Sequence, residues 1–170
     1  MILAVDVQYD KTGGIVAGVA FKAWDDSKES DCYLSDVENV GDYIPGQFYK
    51  RELPCILRLL SEHNLEPECI VIDGYVYLDG HAKPGLGKHL YDALHGNIKV
   101  IGVAKKPFTG IDEECKLLRG SSNKALFITC IGMELSAAKS HIKSMHGAHR
   151  IPTILKKVDQ LCRQRTRRQF

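Results

Sequence analysis

The stretch Cys69-Ile70-Val71-Ile72-Asp73-Gly74 decides the fold. Four apolar residues in a row, closed by Asp-Gly, are the pattern of a strand buried on both faces in a parallel sheet. An acid at the end of such a strand lies at the carboxyl edge, where open α/β sheets hold their ligands. Upstream the pattern differs. Ile2 to Tyr9 is apolar and β-branched and reads as a strand, and Lys11-Thr12-Gly13-Gly14 is turn chemistry. Ile15 to Ala23 returns as a second strand to make a hairpin, and Cys32 to Val37 follows the polar turn Trp24 to Asp31 as an edge strand. After a Tyr43-Ile44-Pro45-Gly46 loop, apolar residues at helical spacing predict a helix from Leu53 to His63, with Pro54 in its first turn. Downstream, Leu86 to Leu94 reads as a helix, Lys99 to Ala104 and Ala125 to Cys130 as further buried strands, and Leu135 to Met145 and Pro152 to Cys162 as helices. Three antiparallel strands followed by parallel strands alternating with helices imply an α/β mixed sheet with helices on both faces.

Composition narrows the class. The 170 residues are 44% hydrophobic and 26% charged, which is ordinary for one soluble globular domain. Cys32, Cys55, Cys69, Cys115, Cys130 and Cys162 are scattered, with no Cys-x-x-Cys pair, which argues against a disulfide scaffold and a zinc cluster. A reducing compartment, the cytoplasm, is expected. No stretch approaches the roughly 20 apolar residues of a membrane span, and the N-terminus lacks a signal peptide's basic region. The net charge of +2 conceals a split: residues 156–170 carry six cations and one acid, and residues 1–155 are net negative by three. The expected organisation is one domain over 1–155 and a basic tail over 156–170. That tail either grips a polyanion or is simply solvated.

Three acids stand where apolar or turn residues are expected: Asp6 inside the first strand, Glu52 at the start of the first helix, and Asp73. Each alone fits a plain role, as a cation partner, a favourable helix N-terminal acid and a turn residue. Together at one sheet end they suggest a hard-cation site, because buried carboxylates need compensation and oxygen ligands suit Mg²⁺ or Mn²⁺. Lys105, at the end of the next strand, is either a solvated strand end or a phosphate-holding cation. His81, in a Gly/Pro/Lys-rich loop, is either exposed or a phosphate ligand. Tyr43, in its stiff loop, is either a packing anchor or an aromatic wedge.

The order of elements matches the ribonuclease H-like fold. Tyr43-Ile44-Pro45-Gly46 with Arg51-Glu52, then Asp73-Gly74, then Gly102-Val103-Ala104-Lys105-Lys106 and the Leu126-Phe127-Ile128 strand, resemble the endonuclease V family over Asp6 to about Pro152. The resemblance implies a metal-dependent endonuclease with that fold. Its substrate would be DNA or RNA carrying inosine (hypoxanthine), cut with Mg²⁺ or Mn²⁺ at the second phosphodiester 3′ to the lesion, in nucleic-acid repair or inosine processing. By position, Asp6, Glu52 and Asp73 would be metal-binding catalytic carboxylates, Lys105 the catalytic lysine and His81 the loop histidine. Tyr43 would be the strand-separating wedge in the loop with Ile44, Pro45 and Gly46, and Phe48 and Gly74 would line the base pocket. A monomer is expected. A non-catalytic or differently specific nucleic-acid-binding protein of the same fold is the alternative. The chain departs from the family in reading Asp73-Gly74-Tyr75-Val76 where Asp-Gly-His-Gly is usual. Asp42 stands where a proline usually precedes the wedge tyrosine. The late acid of a Val-Asp-Ser-Ala stretch falls on Ser136, with Glu134 two residues earlier.

Overall fold

The computed structural model describes residues 1–10, 13–38 and 49–168, with the side chains of 165–168 excepted. The loop residues Tyr43, Ile44, Pro45, Gly46 and Phe48 therefore lie outside the described residues. The strands are β1 (Ile2–Tyr9), β2 (Gly13–Phe21), β3 (Asp31–Glu38), β4 (Cys69–Asp73), β5 (Lys99–Ala104), β6 (Lys116–Leu117) and β7 (Leu126–Ile131). The helices are α1 (Tyr49–Glu62), α2 (Leu86–Ala93), α3 (Leu135–Ser144) and α4 (Thr153–Arg168). The strands form one sheet in the order β3-β2-β1-β4-β5-β7-β6.

β1, β2 and β3 are antiparallel, and β4 joins β1 in parallel, as the apolar run of residues 69–72 requires. β5 continues in parallel. β7 differs from the sequence expectation, because it runs antiparallel to β5. A parallel return needs a crossover, usually a helix. Between Ala104 and Leu126 there is only a three-residue 3₁₀ turn (Glu113–Cys115) and the two-residue β6, so the chain comes back from the edge where it left.

Each sheet face buries one apolar layer. Leu3, Val5, Ile70 and Ile72 pack with Ile56, Leu59 and Leu90 of α1 and α2. Ile2, Ala4, Val71 and Ile101 pack with Ala138, Ile142, Val158 and Cys162 of α3 and α4. Helix α1 begins a turn before the expected Leu53. Pro54 withdraws a donor only from the carbonyl of exposed Lys50, so the preceding turn still forms. Helix α4 continues past the expected Cys162, and its Val158 and Cys162 are core residues within the segment read as a tail. Among the described residues, no helix is long and apolar enough to cross a membrane.

Candidate active site

Strand parity decides which side chains meet. Ile2 and Ala4 of β1, Cys69 and Val71 of β4, and Ile101 and Val103 of β5 all belong to the core layer under α3 and α4. Alternation with period two carries Asp6, Asp73 and Lys105 to that same face at the sheet's carboxyl edge. The pairing of Val5 with Ile72 sets Asp6 beside Asp73. Lys105 Nζ stands 3.6 Å from Asp73 Oδ2. Arg150 fixes the backbone there by donating to the carbonyls of Lys105, Lys124 and Ala125.

Asp6 is the buried member. Its Oδ1 accepts a hydrogen bond from Val7 N at 2.9 Å, and the buried carboxyl shares a further hydrogen bond with the carboxyl of Asp159. Burial, then the charge of Asp73, then contact with Asp159 push its pKa up to about 8. Glu52, in the first turn of α1, is raised to about 7 by burial and then by Asp73. Asp159 comes from α4. Burial raises its pKa, but the proton shared with Asp6 and the hydrogen bond from Arg163 outweigh burial and leave it below the ordinary carboxylate value.

Two clefts flank Asp6. The one against α4 is lined by Asp6, Asp73, Lys105 and Asp159, with Leu155 and Val158. The one against α1 is lined by Asp6, Glu52 and Asp73, with Ile56 and Leu86. A wider groove of about 830 Å³, partly open solvent, runs past Glu52, Asp73 and Gly74 between the rings of Tyr49, Tyr75 and Phe108. Its far wall is tied down by Tyr75, whose hydroxyl donates to the Lys106 carbonyl and accepts from Phe108 N at 3.0 Å. Gly74 has φ near +142°, which suits glycine, at the sharp exit from β4.

The structure therefore brings together Asp6, Glu52, Asp73 and Lys105, with Gly74 in the groove beside them. It does not bring His81 to them. That ring is exposed, 3.9 Å from Asp79 Oδ2, in a loop held by three backbone N–H groups donating to Asp79 Oδ1. Glu134 sits exposed at the N-cap of α3, and neither it nor Ser136 lines either of the two clefts beside Asp6. The acid that sequence reasoning missed is Asp159. It had a signal: it is the one acid in the stripe Leu155, Val158, Asp159, Cys162, at helical spacing on a face that is otherwise apolar.

The donor set fits a hard divalent cation. It is all carboxylate oxygen, and burial, reinforced by the charge of Asp73, lifts Asp6 and Glu52 above the ordinary carboxylate range, a cost that a bound cation would relieve. Among the described residues, no three His, Cys, Asp or Glu side chains are already gathered as a metal cage. Asp73 is the exposed member and is paired with Lys105.

A profile of the endonuclease V family matches residues 1–145. An endonuclease V of Streptomyces avermitilis is 31% identical over 190 aligned residues, covering 96% of this chain and 79% of the relative. This chain belongs to the endonuclease V family. The family's enzymes are endonucleases, which hydrolyse phosphodiester bonds of nucleic acid. An endonuclease V of Streptomyces coelicolor is 30% identical over 95% of this chain and 77% of its own. The crystal structure of the Streptomyces avermitilis endonuclease V superposes with a TM-score of 0.79 at 27% identity, over 98% of this chain and 81% of that one. The Ciona intestinalis endonuclease V, solved in complex with a 23mer DNA containing an inosine followed by a ribo-adenosine, shares the fold with a TM-score of 0.79 at 19% identity, over 99% of this chain and 86% of that one. The ribonuclease H-like fold of endonuclease V is thus that of this chain. Helix α4, with Asp159, lies beyond the residues that the family profile matches.

Proposed function

We propose that this protein is a Mg²⁺- or Mn²⁺-dependent endonuclease that cuts DNA or RNA at the second phosphodiester 3′ to an inosine, in nucleic-acid repair or inosine processing. The observation that carries the proposal is the carboxylate cluster at the sheet edge, with Asp6 buried between Glu52 on one side and Asp159 on the other. Asp6 and Asp73 would hold the cation, joined by Glu52 from α1 and Asp159 from α4. When bound, the cation would polarise the scissile phosphate and lower the pKa of an attacking water. Lys105 places a positive charge beside Asp73, where it meets negative charge building on the phosphate. The groove beside Gly74 has the aromatic walls and the size to take a base turned out of its strand. The inosine-containing DNA bound by the Ciona intestinalis relative supports the choice of lesion.

A second specificity within the same chemistry is favoured by one observation, Tyr75 in place of the usual histidine, bracing the groove wall. A non-catalytic role rests on Ser136 in place of the usual acid and on the basic tail; Asp159, lining the cleft beside Asp6, weighs against the first of these.

The test is incubation of the protein and its Asp73→Ala variant with an inosine-containing oligonucleotide and Mg²⁺ or Mn²⁺. Cleavage should fall by at least about 10²-fold in the variant. Equal, background-level cutting by both would overturn the proposal.

A further inference from the structure

We propose that α4, from Arg163 to its end, is a track for the nucleic-acid backbone, with Arg163 its phosphate contact nearest the cutting site. The proposal rests on the nuclease function above and adds where the strand lies.

Arg163 Nε donates to Asp159 Oδ1 at 3.0 Å, and Asp159 in turn reaches Asp6, so the guanidinium stands at the mouth of the α4-side cleft. Among the described residues that is its one hydrogen bond, and its side chain is 59% exposed. A guanidinium has five N–H groups, so four are left for a ligand. An i,i+4 ion pair whose arginine is solvent-exposed contributes little to stability, so a phosphate can open it at little cost. The planar fork of arginine matches phosphate oxygens in pairs.

The helix then leads away from the cluster. Cys162 Sγ donates to the carbonyls of Asp6 and Ile15, so by that residue α4 has reached the carboxyl end of β1. The helix continues to Arg168, and from Gln160 to Phe170 the sequence has four arginines and no acid. Nine residues from Asp159 to Arg168 rise about 13 Å. That is long enough to follow a strand past more than one phosphate. A site built of carboxylates repels a polyanion, and a cationic helix starting at its mouth supplies the attraction that the net-negative remainder of the chain lacks.

The experiment is fluorescence anisotropy of labelled single-stranded oligonucleotides, with and without inosine, as DNA and as RNA, in EDTA from 50 to 200 mM KCl. Arg163→Gln should weaken binding about three- to tenfold. It should also flatten the slope of log affinity against log salt by about 0.7, the value for one contact on a single strand. Changing Arg165, Arg167 and Arg168 together to Gln should flatten it further. The loss should be the same on all four strands, because phosphate is common to them, and Arg163→Lys should keep most of the slope. Asp159→Asn frees Arg163 without removing it and should not weaken binding. An unchanged slope in Arg163→Gln, a loss confined to RNA, or an equal loss in Asp159→Asn would overturn the proposal, the last by making Arg163 a structural brace. None of these readings uses cleavage or lesion preference, so failure of the nuclease proposal would show separately.

Discussion

Asp6 holds the site's chemistry in one residue. A carboxylate in a buried strand position has no reason to persist for stability, because burial and its neighbours keep it protonated up to about pH 8. The unfolded chain gives up that proton near pH 4. Between those values the native state binds the extra proton, so the metal-free protein loses stability as pH rises through this window. Asp6→Asn removes that loss. Its Tm at pH 8 without metal should exceed that of the wild type by on the order of 5 °C, with the gain shrinking toward pH 4. Matching thermal melts across pH for the two proteins would show that Asp6 is not held protonated. Asp6, Asp73 and Lys105 were legible because each interrupts or closes an apolar strand run, which places all three at one sheet end. Asp159 was not, because its charge was counted within a basic tail rather than against the apolar stripe that carries it. His81 was named for its loop, but the Asp79 turn holds it away from the cluster.

At the scale of elements, the close packing of β4, β5 and β7 sets the geometry of the site. Gly102 of β5 shows how close: a Cβ there would lie 2.5 Å from the Gly74 carbonyl and 2.8 Å from Thr129 Oγ1, which accepts a hydrogen bond from Val76 N. Gly102→Ala therefore pushes out the turn that carries Asp73. A stability loss of about 1–3 kcal/mol in urea unfolding is expected, with a fall in activity larger than the loss of folded protein explains. Wild-type activity in a well-folded variant would refute this coupling. The antiparallel hairpin and the buried β4 and β5 were legible from periodicity alone. The direction of β7 was not, because a buried strand looks the same in either direction and only the missing crossover helix separates the two. Helix ends slipped where proline permitted an earlier start in α1, and where the Arg/Gln-rich end of α4 gave no stop signal.

For the whole molecule, the division of charge falls into place. Acids are concentrated at one sheet edge, where a divalent cation would offset them, and cations lie along the helix that leaves that edge. Neither location is visible in a net charge of +2. Family membership and fold rest on the match over residues 1–145 and on the superposed structures. The chemistry proposed for this chain rests on the cluster. It is tested most directly by mapping the product from an end-labelled strand with one inosine at a known position, incubated with Mg²⁺. A single cut at the second phosphodiester 3′ to the inosine, abolished by EDTA, is predicted. Cutting that ignores the inosine, or that persists in EDTA, would contradict it.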